Sequence, residues 1–162
     1  MLVIGVDPGA SGGIAVVDSY SGSIAVSCWK IDKSESVTAS VFKSIKMGRR
    51  MGESIVAYVE KVHSFSGQGV KSCFSFGQSY GMLRGMLAAF AIDIVDVTPQ
   101  KWQKSLGCRS GKGFTKTEHK RNLKEMAKEM CPYIRVTNAT ADAILIARYG
   151  WNVETGVYLD VK

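Results

Sequence analysis

Three acidic side chains stand out because each interrupts an apolar stretch. Asp7 closes the run "LVIGVD" and leads into "PGASGG", Glu60 closes "SIVAYVE", and Asp142 opens the apolar segment "ADAILIARYG". A carboxylate at the end of a buried strand is an oxygen ligand on a rigid mount, and in open α/β sheets functional groups collect at strand ends. Three carboxylates on one rim repel one another and take up protons unless a cation sits among them. A hard divalent ion with oxygen ligands meets that need, Mg²⁺ first. Two such ions can clamp a phosphodiester for in-line hydrolysis. Each acid also has a structural reading. Asp7 suits a turn that bonds its own backbone, Glu60 a solvated strand end, and Asp142 the positive end of a helix dipole. The three together, with the basic segment described next, favour the metal reading.

The chain has 162 residues and a formal net charge of +7. Residues 98–128 hold nine basic groups, Lys101, Lys104, Arg109, Lys112, Lys116, Lys120, Arg121, Lys124 and Lys128, against the acids Glu118 and Glu125. The whole excess therefore lies in one fifth of the chain. Such concentration reads as a footprint for phosphates; the plainer reading is a solvated, lysine-rich helix face. Lys112, Lys116, Lys120 and Lys124 recur every fourth residue, and the last three fall on one helical stripe. A lysine near the acids, Lys116 or Lys120, would also stabilise charge developing in a transition state.

The elements that must hold these groups follow from periodicity. Apolar, β-branched runs at 2–7, 12–18 and 23–29, separated by Gly- and Ser-rich turns, predict an antiparallel meander. Apolar positions 37, 41, 42 and 45 have helical spacing. A strand ending at Glu60, a helix over 71–91 and a short strand over 92–97 come next. Thr98 and Pro99 predict a helix start, and Thr115 with Glu118 predicts a capping box. Leu123, Met126, Ala127 and Met130 form the apolar stripe of that helix, which Pro132 ends. A final helix is expected over 139–149, with Gly150 as its terminator. Gly77, Gly81 and Gly85 make a ridge whose cost in helix propensity calls for close packing, within the subunit or across a dimer. Helices between the later strands demand parallel pairing there. The expected fold is α/β, a mixed five-stranded sheet with helices on both faces, formed by residues 1–162 as a single domain.

Composition narrows the class. Apolar residues make up 46% and charged residues 22%, as in a packed globular domain. No apolar run reaches the ~18 residues of a membrane span; the longest, "GMLAAFAIDIVDV", is broken by Asp93 and Asp96. No signal-peptide pattern opens the chain, so a cytoplasmic protein without membrane contact is expected. Cys28, Cys73, Cys108 and Cys131 lack zinc-ribbon spacing and are expected as free, packed thiols. A phosphate-binding "GxxxxGK[ST]" loop is absent, and the length falls short of a two-domain sugar kinase or ATPase.

The stretches "VIGVDPGASGGIAVV", "YVEKVHSFSGQGVKSCFSFGQSYGMLRGML", "VTPQKWQKSLG" and "ADAILIARYG", in that order across nearly the whole chain, closely resemble the RuvC-like Holliday junction resolvases, particularly their bacteriophage and plasmid branch. The resemblance implies a ribonuclease H-like fold, a homodimer, and a need for Mg²⁺, two ions, or Mn²⁺ in its place. It implies paired nicking of opposed strands in a four-way DNA junction. Forks or flaps are the alternative substrates, and a non-catalytic junction-binding module is the alternative role. By the same likeness Asp7, Glu60 and Asp142 are the metal-binding catalytic acids. The family's fourth ligand, an acid or histidine just before the last aspartate, is missing from "VTNATAD"; Asn138 is the nearest oxygen donor, or else a helix N-cap. The loop after Glu60 is where relatives present an aromatic wedge. His63 holds that position and Phe65 follows, where stacking on a base would contribute ~1–3 kcal/mol. The basic groups Lys101, Lys104, Arg109, Lys112, Lys116, Lys120, Arg121 and Lys124 would track DNA backbone, each contact adding salt sensitivity. Trp102 and His119 are expected to be a packing and a surface residue.

Overall fold

A computed structural model of the chain describes residues 1–9, 11–20, 23–61, 69–109 and 113–157. Strands β1 (Leu2–Asp7), β2 (Gly13–Tyr20) and β3 (Ser23–Lys30) form the antiparallel meander. Helix α1 (Glu35–Gly48) leads to β4 (Ile55–Glu60), which pairs with β1 in parallel, and α2 (Val70–Ala89) leads to β5 (Asp93–Val97), parallel to β4. The sheet order is β3-β2-β1-β4-β5. Helices α3 (Pro99–Ser105), α4 (Lys116–Met130) and α5 (Ala141–Thr155) complete the chain. No helix among the described residues is long and apolar enough to cross a membrane.

Side chains alternate across a strand, and here both faces are buried. Leu2, Ile4, Val6, Ile14, Val16, Ala57 and Val59 pack with Phe42 and Ile45 of α1 and Leu83 and Leu87 of α2. Val3, Ala15, Val17 and Tyr58 pack with Trp102, Leu123, Ala127 and the apolar residues of α5. Helices therefore cover both faces, as the pattern predicts. The alternation also assigns the acids. Asp7 follows Val3 and Gly5, and Glu60 follows Val56 and Tyr58, so both belong to the face covered by α5.

Helix α5 is the central one. Residues 141–147 are all buried, and it lies almost in contact with β1. A Cβ added to Gly5 would stand 2.2 Å from the Ala143 carbonyl oxygen and 2.3 Å from the Ala147 nitrogen. Only glycine at that strand position lets the helix backbone come so near. The expected end of this helix is corrected. Gly150 lies inside it, buried, where a Cβ would meet the Tyr58 ring at 2.4 Å. The helix runs on to Thr155 and ends at Gly156, in the left-handed conformation with φ 69°. Tertiary packing against Tyr58 overrides the local stop signal of Gly150.

Other starts and stops follow the sequence more closely. Thr115 and Glu118 make the full capping box of α4, and that helix ends at Met130 before Pro132. Thr98 holds the N-cap position of α3 but makes no side-chain cap bond. In α1 the buried position next to Val37 is Thr38, whose hydroxyl donates to the Asp32 carbonyl at 3.3 Å, while Val37 is exposed. Among the described residues, and apart from chain neighbours and the helix's own backbone, no atom lies within 4 Å of a Cβ added at Gly77, Gly81 or Gly85, so the close packing expected along this ridge is not seen there.

Candidate active site

Asp7 and Glu60 each lie one residue beyond Val6 and Val59, the last residues paired between the two parallel strands. Their backbones are thus neighbours at one rim. The turn after Asp7 is pinned. The Gly12 N–H donates to the Gly9 carbonyl at 2.8 Å, and the Ser79 hydroxyl of α2 donates to the Pro8 carbonyl at 3.0 Å. The Gly9 N–H donates to Asp7 Oδ1 at 3.0 Å, fixing the carboxylate. Glu60 accepts at Oε1 from the Trp102 indole N–H at 2.9 Å. That indole is fully buried, so its single donor is spent on the candidate carboxylate. Asp142, in the first turn of α5, accepts at Oδ2 from the Lys120 ammonium of α4. Its other oxygen, Oδ1, is buried and has no hydrogen-bond partner among the described residues.

The electrostatics of the three acids are coupled. Burial pushes the Asp7 carboxyl above its ordinary value; the Gly9 bond and Lys120 oppose the rise, and the negative charge of Asp142 adds to it. Burial pushes Glu60 up to about 7; Asp7 and Asp142 add to the rise, and the Trp102 bond and Lys120 oppose it. For Lys120, burial disfavours the charge, but Asp142, Asp7 and Glu60 together outweigh it and hold the ammonium above its ordinary value. Burial and neighbouring negative charge both disfavour the charged forms of Asp7 and Glu60, and a positive charge at this rim would oppose that.

Those shifts bear on whether an ion fits. The donors are hard oxygens, the Asp142 Oδ1 is buried without a partner, and Asp7 and Glu60 are strained toward protonation. All three observations suit a divalent cation. In the side-chain arrangement of the structure, however, no three His, Cys, Asp or Glu groups among the described residues converge on a single ion position. The acids sense one another's charge without meeting at one point, and Lys120 supplies the cation that Asp142 has. An ion would share or take over that carboxylate.

Among solved structures, the chain is similar to Thermus thermophilus RuvC in complex with a Holliday junction substrate: TM-score 0.61 and 15% identity over 96% of this chain and 97% of that one. The chain has the RuvC fold. A second Thermus thermophilus RuvC structure gives TM-score 0.60 at 15% identity, again over 96% and 97% of the two chains. The yeast mitochondrial Holliday junction resolvase Ydc2 gives TM-score 0.44 at 17% identity over 92% of this chain and 76% of that one. No family model matches the sequence, and no curated protein matches it either.

On this RuvC fold, Asp7, Glu60, Asp142 and Lys120 lie within reach of one another's charge. Lys116, Arg121, Lys101, Lys104 and Arg109 are exposed, and Lys124 is half-buried. Asn138 is exposed in the turn before α5; the N-cap position belongs to Thr140, so the capping reading of Asn138 is corrected. His63, Phe65 and Lys112 lie outside the described residues. The Cys28, Cys108 and Cys131 thiols are raised by burial, the latter two to about 11, which keeps them protonated and unreactive. Sequence reasoning missed the bond from Trp102. The available signal was its indole N–H, which needs an acceptor wherever the ring is buried.

Proposed function

We propose that this chain is a divalent-metal-dependent endonuclease that resolves four-way DNA junctions by paired nicking. The carrying observation is that β1, β4 and α5 of a RuvC fold bring Asp7, Glu60 and Asp142 within reach of one another's charge at one rim, where burial and neighbouring negative charge push Asp7 and Glu60 upward. Asp7, Glu60 and Asp142 are the groups that would hold Mg²⁺, or Mn²⁺, with Asn138 as a neutral fourth donor. Bound there, divalent ions would supply Lewis-acid activation of the phosphodiester and charge stabilisation at the leaving oxygen. The chain's own residues do the rest. The Gly9 N–H and the Trp102 indole orient two of the carboxylates. Lys120 carries a positive charge at the same rim, close to where charge develops on the phosphate. The basic groups from Lys101 to Lys124 hold the DNA backbone, and His63 and Phe65 stack on bases at the junction centre.

A homodimer gives two such sites for two opposed strands, which paired nicking of a symmetric junction requires. The RuvC complex with its junction substrate, matched over nearly the whole of both chains, supports the choice of substrate. The deciding experiment is cleavage of labelled four-way junctions against linear duplex in Mg²⁺, with wild type and Asp7→Asn. Wild type should nick the junction symmetrically, and Asp7→Asn should bind it without cutting. Cleavage of forks or flaps in preference to junctions would move the substrate to other branched DNA. Junction binding by wild type without any nicking would leave a binding module only.

A further inference from the structure

Beside the acid rim lies a cavity of about 550 Å³ lined by Ser11, Lys30, Lys124, Arg135 and the turn from Thr137 to Thr140. Three cations face it, and among the described residues no acidic one lines it. Among the described residues, none of the three cations makes an ion pair or a side-chain hydrogen bond. Elsewhere Arg50 pairs with Asp18 and Glu53, Arg84 with Asp96, and Lys128 with Glu125. Like charges gathered around a hollow repel, and the arrangement is relieved by an anion.

The fold builds this hollow deliberately close to the acids. Lys30 ends β3 opposite Gly13. Gly13 in turn lies against the turn before α5, where a Cβ would meet the Ala139 carbonyl oxygen at 2.4 Å. That close approach brings the Lys30 strand end to Thr137 and Thr140. Lys124 is one helical turn beyond Lys120, ~6 Å along α4, and Lys120 bonds Asp142. Thr140 precedes Asp142 by two residues, and Ser11 follows Asp7 by four. The cavity thus begins where the acid rim ends. Its lining includes the Ser11 hydroxyl, a group of the kind that bonds phosphate oxygens.

Resting on the nuclease reading above, we propose that Lys30, Lys124 and Arg135 form a subsite for one backbone phosphate of the cleaved DNA strand, adjacent to the scissile phosphate. Its role is to set the register of that strand over the acids. Lys30 and Arg135 lie outside the basic segment at 98–128, so the phosphate track crosses from α4 to the end of β3.

The test measures binding of a four-way junction as a function of salt, in EDTA so that no cutting occurs. The proteins are wild type, Lys30→Gln, Arg135→Gln and the double variant, with Lys43→Gln on the opposite face as control. Each phosphate contact contributes a slope of about 0.9 in log affinity against log salt. The double variant should lower the slope by up to that amount and each single variant by a share of it, while Lys43→Gln should leave it unchanged. Lys30→Arg should restore it. Replacing single phosphates of the junction by neutral methylphosphonates should find one position near the cut that weakens wild type but not the double variant. An unchanged slope in the double variant, alongside normal Mg²⁺-dependent nicking by wild type, would overturn the subsite and leave the nuclease assignment standing. Wild type that fails to bind junction DNA at all would overturn both.

Discussion

Replacing Gly5 by alanine probes the contact that sets the whole site. The added Cβ would lie 2.2 Å from the Ala143 oxygen, 2.3 Å from the Ala147 nitrogen and 2.8 Å from the Ala147 Cα. All three are backbone atoms of α5, so no side chain can rotate away. Ordinary carbon contacts fall at ~3.5–4.0 Å, and the helix must retreat from β1 by about 1 Å. Overpacking of this kind costs about 1–3 kcal/mol, offset by about 0.4–1 kcal/mol from the stiffer unfolded chain. At ~2–4 °C per kcal/mol for a domain of this size, Tm should fall by several degrees. The retreating helix carries Asp142, next to Ala143, away from Asp7 and Glu60. A 1 Å misplacement lowers rates by about 10²-fold. Thermal unfolding and single-turnover junction cleavage read the two effects. Gly81→Ala is the matched control, because beyond its own helix its Cβ meets none of the described residues within 4 Å; it should gain about 0.8–1 kcal/mol from helix propensity. Wild-type Tm and wild-type cleavage in Gly5→Ala would refute the idea that α5 is held against β1 by the missing side chain.

The remaining predictions concern the acids themselves. Glu60 is raised from 4.5 to about 7, so between those values the folded, metal-free protein holds a proton that the unfolded chain has lost. Its contribution to stability is therefore present below pH 4.5 and is lost as pH rises toward 7, a fall of order 3 kcal/mol. Denaturant unfolding in EDTA from pH 4.5 to 7.5 should show that fall in wild type and a flatter profile in Glu60→Gln. Trp102→Phe keeps the buried ring but removes the donor to Glu60. A charge-assisted bond of about 1.5–3 kcal/mol is lost, and junction cleavage should drop with little change in DNA affinity. Lys120→Met leaves Asp142 buried without its cation. The Lys120 side chain is 56% exposed, so the loss should stay below the ~3–5 kcal/mol of a fully buried pair. Mg²⁺ should raise the Tm of this variant more than that of wild type, measured by thermal unfolding with and without the ion.

Much of this arrangement was legible in the chain because it depends on short-range order. Apolar runs that stop at Asp7 and Glu60 placed both acids at strand ends, and one capping box fixed the start of α4. The concentration of charge at 98–128 marked α4 as basic before its position was known. Gly150 was misread as a terminator because a helix stop is a local signal, whereas its true constraint is the Tyr58 ring, 92 positions earlier in the chain.

By itself, the order of residues determined the strands and helices, the parity that turns two carboxylates toward one face, and the sign of the surface near them. Tertiary structure alone decided which partners those groups meet. Trp102 reaches Glu60 across 42 residues, and Lys120 reaches Asp142 across 22. Lys30 and Arg135 share a cavity although neither lies in the basic run. The physical reason is that alternation and capping act over a few residues and leave a pattern in the chain. A hydrogen bond or a shared cavity between distant segments depends on how closely two backbones pack, and at Gly5 and Gly13 that closeness is set by side chains that are not there.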